Sequence, residues 1–300
     1  MRTGSEAVIL QSVEKHYGDE FAFGPMELAV EEGMVTAIVG PNGSGKSTMF
    51  RLLMNLLQPD EGEVRIFGST YSEGETAIKG RIGYVPELSD YDMAARRVGD
   101  IAAFLSLWYP HWSEAEYKRL LDAFGLKDSS KLKGMSKGTL RKVDLIMALA
   151  AQPHLLLLDE PSSGLDPLAS GQLIDEVKRF MDQEGRTVLL ATHIQEEVWK
   201  LADYVAFLYE GRLIGTYEKD ELKDGWKAVW IERLPERPEE LPGFIGLEGE
   251  GPYRIATRDY ASAASRLKEE GIRILQTEAL ELNAILAQLI RERRNAARKS

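Results

Sequence analysis

Gly40-Pro41-Asn42-Gly43-Ser44-Gly45-Lys46-Ser47-Thr48 is the stretch on which the fold turns. Gly40, Gly45, Lys46 and Ser47 satisfy the spacing G-x-x-x-x-G-K-S/T. Glycines at such spacing let successive backbone N–H groups turn inward and wrap a diphosphate. The flanks agree with that reading. Val35–Val39 is a continuous, mostly β-branched run, the pattern of a strand covered on both faces. Ser47–Leu57 then has helical character until Pro59. A helix starting there adds its N-terminal N–H groups and positive dipole end to the same anion. Lys46 is placed to reach the β- and γ-phosphates and the Ser47 hydroxyl to ligate Mg²⁺. The stretch implies a bound nucleotide but leaves the reaction open.

Leu155–Leu158 narrows the reaction. Four apolar residues lead directly into Asp159-Glu160. Such a run reads as a buried strand, and the carboxyl end of a strand is where open α/β sheets bind ligands. Asp159 suits Mg²⁺, a hard ion that prefers carboxylate and phosphate oxygens. Glu160 suits the polarisation of an attacking water. Ahead of this pair stands Met135-Ser136-Lys137-Gly138-Thr139, which by itself reads only as a Ser/Gly entry into the helix expected over Leu140–Ala151.

The rest of the chain alternates strands and helices. Strands are expected at Ala7–Val13, Met26–Val30, Glu61–Phe67, Ile82–Val85, Thr187–Ala191, Tyr204–Glu210 and Gly211–Tyr217. Helices are expected at Val98–Leu107, Glu114–Phe124, Leu168–Glu184 and Gln195–Ala202. This pattern argues a mostly parallel sheet with a helical insertion at about 90–138. Beyond Leu222 the texture changes: a strand at Trp226–Arg233, a linker-like stretch at 234–251 rich in Pro, Gly and Glu, then strand, helix, strand and a final helix through Arg294. The division expected is a catalytic domain over 1–222 and a small α+β appendage over 223–300.

Composition excludes several functions. The 300 residues are 44% hydrophobic and 28% charged, ordinary for a globular protein. A net charge of −11 disfavours non-specific attraction to nucleic acid or anionic lipid. The absence of Cys removes thiol chemistry and disulfides, and the four His have no metal-ligand spacing. Met1–Glu20 does not read as a signal peptide, and no window reaches the roughly 18–20 apolar residues of a membrane helix. Any membrane connection is therefore expected through another chain.

Taken together, Gly40–Thr48, Ser136 and Gly138, Leu155–Glu160, Pro161-Ser162-Ser163-Gly164-Leu165-Asp166-Pro167 and Thr192-His193 resemble the ATP-binding subunit of an ABC transporter. The likeness covers roughly residues 5–220. It implies a P-loop α/β nucleotide-binding domain with a mostly parallel sheet, an antiparallel β part and a helical insertion. It implies ATP and Mg²⁺ as ligands. On this likeness Tyr17 stacks on adenine, and Gly40, Pro41, Asn42, Gly43, Ser44, Gly45, Lys46, Ser47 and Thr48 hold the phosphates. Ser47, Glu87 and Asp159 serve the metal, Glu87 standing where the family usually has Gln. Glu160 and His193 are catalytic. Ser136 and Gly138 reach the γ-phosphate of an opposite subunit, and Asp166 crosses the dimer interface. The family form L-S-G-G-Q is here Met135-Ser136-Lys137-Gly138-Thr139, with Lys137 and Thr139 as departures.

The S-K-G variant, Glu87 and Trp108-Tyr109-Pro110-His111-Trp112 resemble the bacterial Ytr-type subgroup, whose ATPases serve separate ABC-2-type membrane proteins. The implied assembly is a homodimer or a heterodimer with a second ABC ATPase subunit, bound to such a permease on the inner face of the membrane, for export. The Trp/Tyr cluster reads equally as a docking patch or as the core of the helical insertion. A soluble ABC-type ATPase acting on nucleic acid or ribosomes is the alternative, supported only by the basic residues Arg291, Arg293, Arg294, Arg298 and Lys299 and opposed by the acidic charge. No nucleic-acid partner is expected. A GTPase reading lacks the Asn-Lys-x-Asp segment that recognises guanine.

Overall fold

The computed structural model describes residues 5–18, 21–88 and 97–297. The chain divides into two units, one of residues 1–202 with 208–213 and one of residues 203–207 with 214–300. In chain order the first holds β1 (Glu6–Tyr17), β2 (Phe21–Glu31), β3 (Val35–Val39), α1 (Lys46–Leu53), β4 (Glu61–Ile66), α2 (Tyr71–Lys79), β5 (Ile82–Val85), α3 (Val98–Leu105), α4 (Glu114–Phe124), α5 (Lys137–Ala150), β6 (Leu155–Asp159), α6 (Pro167–Met181), β7 (Thr187–Thr192) and α7 (Gln195–Leu201). A hairpin of β8 (Tyr204–Tyr209) and β9 (Arg212–Glu218) follows, turning through Glu210 and Gly211, both at positive φ as a two-residue hairpin loop requires.

Within the first unit β5, β6, β7 and β3 lie side by side in that order, all parallel. Every residue of β3, β6 and β7 is buried, which is why these segments read as unbroken apolar runs rather than alternating ones. Burying each leucine of Leu155–Leu158 contributes about 1.5–3 kcal/mol. A separate antiparallel sheet, β2-β1-β4, alternates buried and exposed residues along β2. The helices around the parallel strands share one core, in which Tyr117, Leu120 and Leu121 of α4 meet Val143 and Ile146 of α5.

Helix ends follow local chemistry. Ser113 caps α4 by accepting from the Glu116 N–H at 3.2 Å, and Gly125 closes it in the left-handed conformation. Asp166 caps α6 by accepting from the Ala169 N–H at 2.9 Å, with Pro167 in the first helical position.

Several elements differ from expectation. The helix after the phosphate loop stops at Leu53 rather than Leu57, because Asn55 turns to positive φ. A helix not expected from the sequence, α2, follows β4 and opens on the capping box Thr70/Glu73. The Trp/Tyr cluster splits: Trp112 packs on Tyr117 with ring centres 5.7 Å apart, while Trp108 is 64% exposed beside exposed Phe104 and Leu107. The start of the helical insertion, at residues 89–96, lies outside the described residues.

The second unit adds α8 (Lys219–Gly225), β10 (Lys227–Ile231), a 3₁₀ turn (Pro238–Glu240), β11 (Phe244–Glu248), β12 (Tyr253–Thr257), α9 (Tyr260–Glu269), β13 (Ile274–Ala279) and α10 (Leu282–Ala297). Its sheet is antiparallel with order β11-β12-β10-β13. The stretch 234–251 is thus no linker. Leu241 is buried with Val229, Ile231, Ile255 and Leu267, and Phe244 packs against them. Its prolines mark the 3₁₀ turn and the strand entry, positions that need no ladder N–H. No helix among the described residues is long and apolar enough to cross a membrane.

Candidate active site

Strand register assembles the site. Val39 of β3 pairs with Thr192 of β7, Asp159 of β6 with Ala191 of β7, and Val85 of β5 with Leu158 of β6. Gly40, Glu160 and His193 therefore leave three neighbouring parallel strands at the same end, and Glu87 follows two residues beyond β5. Ligands bind at this end of an open sheet.

A cleft of about 760 Å³ opens there. Of the expected residues it is lined by Tyr17, Asn42, Gly43, Gly45, Lys46, Ser47 and Thr48 from the nucleotide side. Glu87, Glu160 and His193 line it from the catalytic side. Gly45 stands at φ 105 with the Phe23 ring 2.9 Å from where a Cβ would be, so only glycine fits. No side chain caps α1 and no acid stands in its first turn. Its first N–H groups and dipole are thus left for an external anion.

Lys46 is 6% exposed and is held by three oxygens. Its Nζ donates to the Gly40 carbonyl at 2.8 Å and the Pro41 carbonyl at 3.3 Å, and lies 3.4 Å from Glu160 Oε1. The other Glu160 oxygen is 2.7 Å from His193 Nδ1. Glu160 itself is at φ 50, a conformation non-glycine residues adopt seldom.

Asp159 sits beneath this pair, 1% exposed. Burial pushes its carboxyl up to about 6; the Ser47 hydroxyl bonded to it and the Lys46 cation act against that, while Glu87 and Glu160 add to it. Its Oδ1 is buried without a hydrogen-bond partner. That orphaned oxygen beside the Ser47 hydroxyl fits a divalent cation. Among the described residues no group of three or more His, Cys, Asp or Glu could hold a metal. An ion held there would draw its remaining ligands from water and phosphate oxygens, the coordination that Mg²⁺ favours. A pH dependence follows. The folded pKa is raised above the usual 3.8, so the folded chain binds the extra proton between about pH 4 and 6, and this group's contribution to stability declines as pH rises through that window. Mg²⁺ needs the deprotonated form, so its affinity in the presence of nucleotide is expected to fall as pH drops below about 6. Titration calorimetry at pH 5 and pH 8 checks this, and Asp159→Asn should shrink the difference to that set by the nucleotide's own terminal phosphate, which titrates at about pH 6.

Tyr17 is half-exposed at the cleft mouth, its ring centre 6.1 Å from that of Phe21. Ser136, Gly138 and Asp166 do not line the cleft. Ser136 caps α5 by accepting from the Thr139 N–H at 3.1 Å. Gly138 lies against the loop after β6, where a Cβ would meet the Gly164 carbonyl at 2.7 Å.

Sequence reasoning missed Phe21, Arg51 and Ser163, which also line the cleft. It also missed two buried charges behind it. Arg141 of α5 is 1% exposed, and its guanidinium donates to the Pro86 and Glu87 carbonyls. Glu197 of α7 is 1% exposed, burial raises its carboxyl, and neither carboxyl oxygen has a hydrogen-bond partner. Its place in the first turn of the helix that follows His193 was a usable signal. Nothing in the sequence marks Phe21.

The chain was compared with known proteins. Residues 23–163 match the family model described as ABC transporter. Daunorubicin resistance ATP-binding protein DrrA3 of Streptomyces coeruleorubidus is 34% identical over 221 residues, 72% of this chain and 70% of that protein. Nod factor export ATP-binding protein I of Sinorhizobium fredii is 34% identical over 245 residues, 80% of this chain and 71% of its own. A dimeric ATP-binding cassette solved in a post-hydrolysis state with ADP and Pi superposes with a TM-score of 0.62 at 25% identity, covering 70% of this chain and 98% of that one. An uncapped helix behind a glycine loop, a buried acid beneath it and a Lys–Glu–His array are what such a cassette needs. The chain belongs to the ABC transporter family, as an ATP-binding and ATP-hydrolysing subunit.

Proposed function

We propose that this chain powers export by hydrolysing ATP in a head-to-tail dimer attached to separate ABC-2-type membrane subunits. ATP-binding subunits of this family dimerise and pair with membrane subunits. The observation that carries the catalytic part is Glu160, fixed between Lys46 and His193 at the cleft floor. The Gly40–Ser47 backbone and Lys46 hold the phosphates, and Tyr17 stacks on the base. Ser47 and Asp159 would hold Mg²⁺, which supplies neutralisation of phosphate charge, with Glu87 beside it. Glu160 accepts a hydrogen bond from the attacking water and orients it, while His193 faces the γ-phosphate. Ser136 and Gly138, which stand outside their own chain's cleft, complete the site of the partner subunit, and Asp166 lies at that interface.

Export as the direction rests on the printed name of the Nod factor export relative and on the S-K-G and Glu87 likeness. Attachment to a permease places the chain peripherally on the cytoplasmic face of the membrane. Exposed Phe104, Leu107 and Trp108 form the docking patch. Affinity capture from detergent-solubilised membranes is expected to recover a polytopic membrane protein, and Trp108→Glu to reduce that recovery about ten-fold or more. Recovery of ribosomes or nucleic acid instead would overturn the transporter reading.

A further inference from the structure

Two cationic side chains on α5, one helical turn apart, reach different loops of the nucleotide cleft. Lys137 Nζ donates to Ser163 Oγ at 3.2 Å. The Ser163 N–H in turn donates to the Glu160 carbonyl at 3.0 Å, so Lys137 holds the turn that directly follows the catalytic carboxylate. Arg141 donates through its guanidinium to the carbonyls of Pro86 and Glu87, the loop that carries the other cleft carboxylate. Residues four apart lie on one face of a helix. A single face of α5 therefore grips both loops.

Neither side chain is explained by helix stability. Lys137 occupies the first position of α5, where a cation opposes the helix dipole, and its stem lies along Gly164. Arg141 is almost wholly buried, which costs free energy that its bonds to main-chain carbonyls offset. Both charges are directed at neutral oxygens of the two loops that carry Glu87 and Glu160, which line the cleft.

We infer that Lys137 and Arg141 are positioning residues that set the Glu160 and Glu87 carboxylates from one helix, α5. This rests on the reading above in which Glu160 orients water and Glu87 stands beside the metal. Because Ser136 caps α5, the arrangement makes the geometry of a subunit's own cleft depend on the helix that it offers to its partner. The departure of Lys137 from the family's glycine is thereby an added contact, reaching from the helix to the turn behind Glu160.

Steady-state ATPase kinetics of the full chain at varied ATP and Mg²⁺ test it. Lys137→Met and Ser163→Ala are each expected to lower kcat about three- to ten-fold with KM for ATP little changed. The double variant should be no slower than the slower single one, and Lys137→Arg should recover most of the loss. Arg141→Lys, which cannot bridge two carbonyls, should raise the Mg²⁺ concentration for half-maximal rate several-fold. A Lys137→Met enzyme with unchanged kcat, losses that multiply in the double variant, or rates that merely follow Tm would overturn the inference. Should Arg141→Lys fail to fold, the Lys137/Ser163 cycle decides alone. An inactive Glu160→Gln beside a fully active Lys137→Met sinks the inference and leaves the ATPase reading standing; an active Glu160→Gln sinks that reading instead.

Discussion

Glu160→Gln is expected to lower kcat for ATP hydrolysis about a thousand-fold while ATP remains bound. Positioned acid–base groups contribute about 10²–10⁴-fold, and the amide cannot accept a proton or polarise water as the carboxylate does. The substitution keeps shape and volume, so the cleft survives. It also removes the negative charge 3.4 Å from Lys46, so that cation no longer faces a carboxylate competing with the phosphates. Binding should therefore be unchanged or tighter, and a dimer that forms around ATP should persist because its ligand is not consumed. Single-turnover kinetics with equilibrium nucleotide binding and light scattering measure all three. A variant that turns over at the normal rate removes Glu160 from the mechanism.

Lys46→Ala should act on the other side of the same pair. Truncating a buried, hydrogen-bonded charge that faces an opposite charge costs about 2–5 kcal/mol, which is roughly 30- to several thousand-fold in nucleotide affinity. Loss of the ammonium also leaves the Gly40 and Pro41 carbonyls without their donor and Glu160 with only His193. Lys46→Arg should not restore binding, because the planar guanidinium does not fit between two carbonyls and a carboxylate arranged around a compact ammonium. Fluorescent-nucleotide titration separates these outcomes. Affinity within three-fold of the parent chain would show that the loop backbone alone holds the phosphates.

The two substitutions together distinguish binding from chemistry. Glu160→Gln loses rate and keeps ligand, whereas Lys46→Ala loses ligand first. If both lost ligand equally, the ion pair would be holding the cleft open rather than performing separate tasks.

Local order was legible where one interaction dominates. The phosphate loop, the parallel strands β3, β6 and β7 and the helix α4 follow from glycine spacing, unbroken apolar runs and a Ser cap with a closing Gly. The helix α2 escaped because acidic composition hid its Thr70/Glu73 capping box. The strand β11 escaped because prolines and glycines around it resemble a linker, and only its pairing with β12 and the packing of Leu241 and Phe244 into that sheet's core tell otherwise. Trp108 and Trp112 lie in one short run yet face surface and core respectively, a difference set by what Tyr117 brings alongside.

By itself the sequence determined the family and the nucleotide loop and singled out Lys46, Asp159, Glu160 and His193 as candidates, since these depend on residue type, spacing and order along one chain. Only the tertiary structure decided how they act on one another. Strand register brings Glu160 between Lys46 and His193, and burial raises the Asp159 carboxyl while orphaning one of its oxygens. The grip of α5 on two loops through Lys137 and Arg141 is likewise a product of packing. Charge–charge distance and desolvation depend on what lies nearby in space, and residues distant in sequence meet only once the chain has folded.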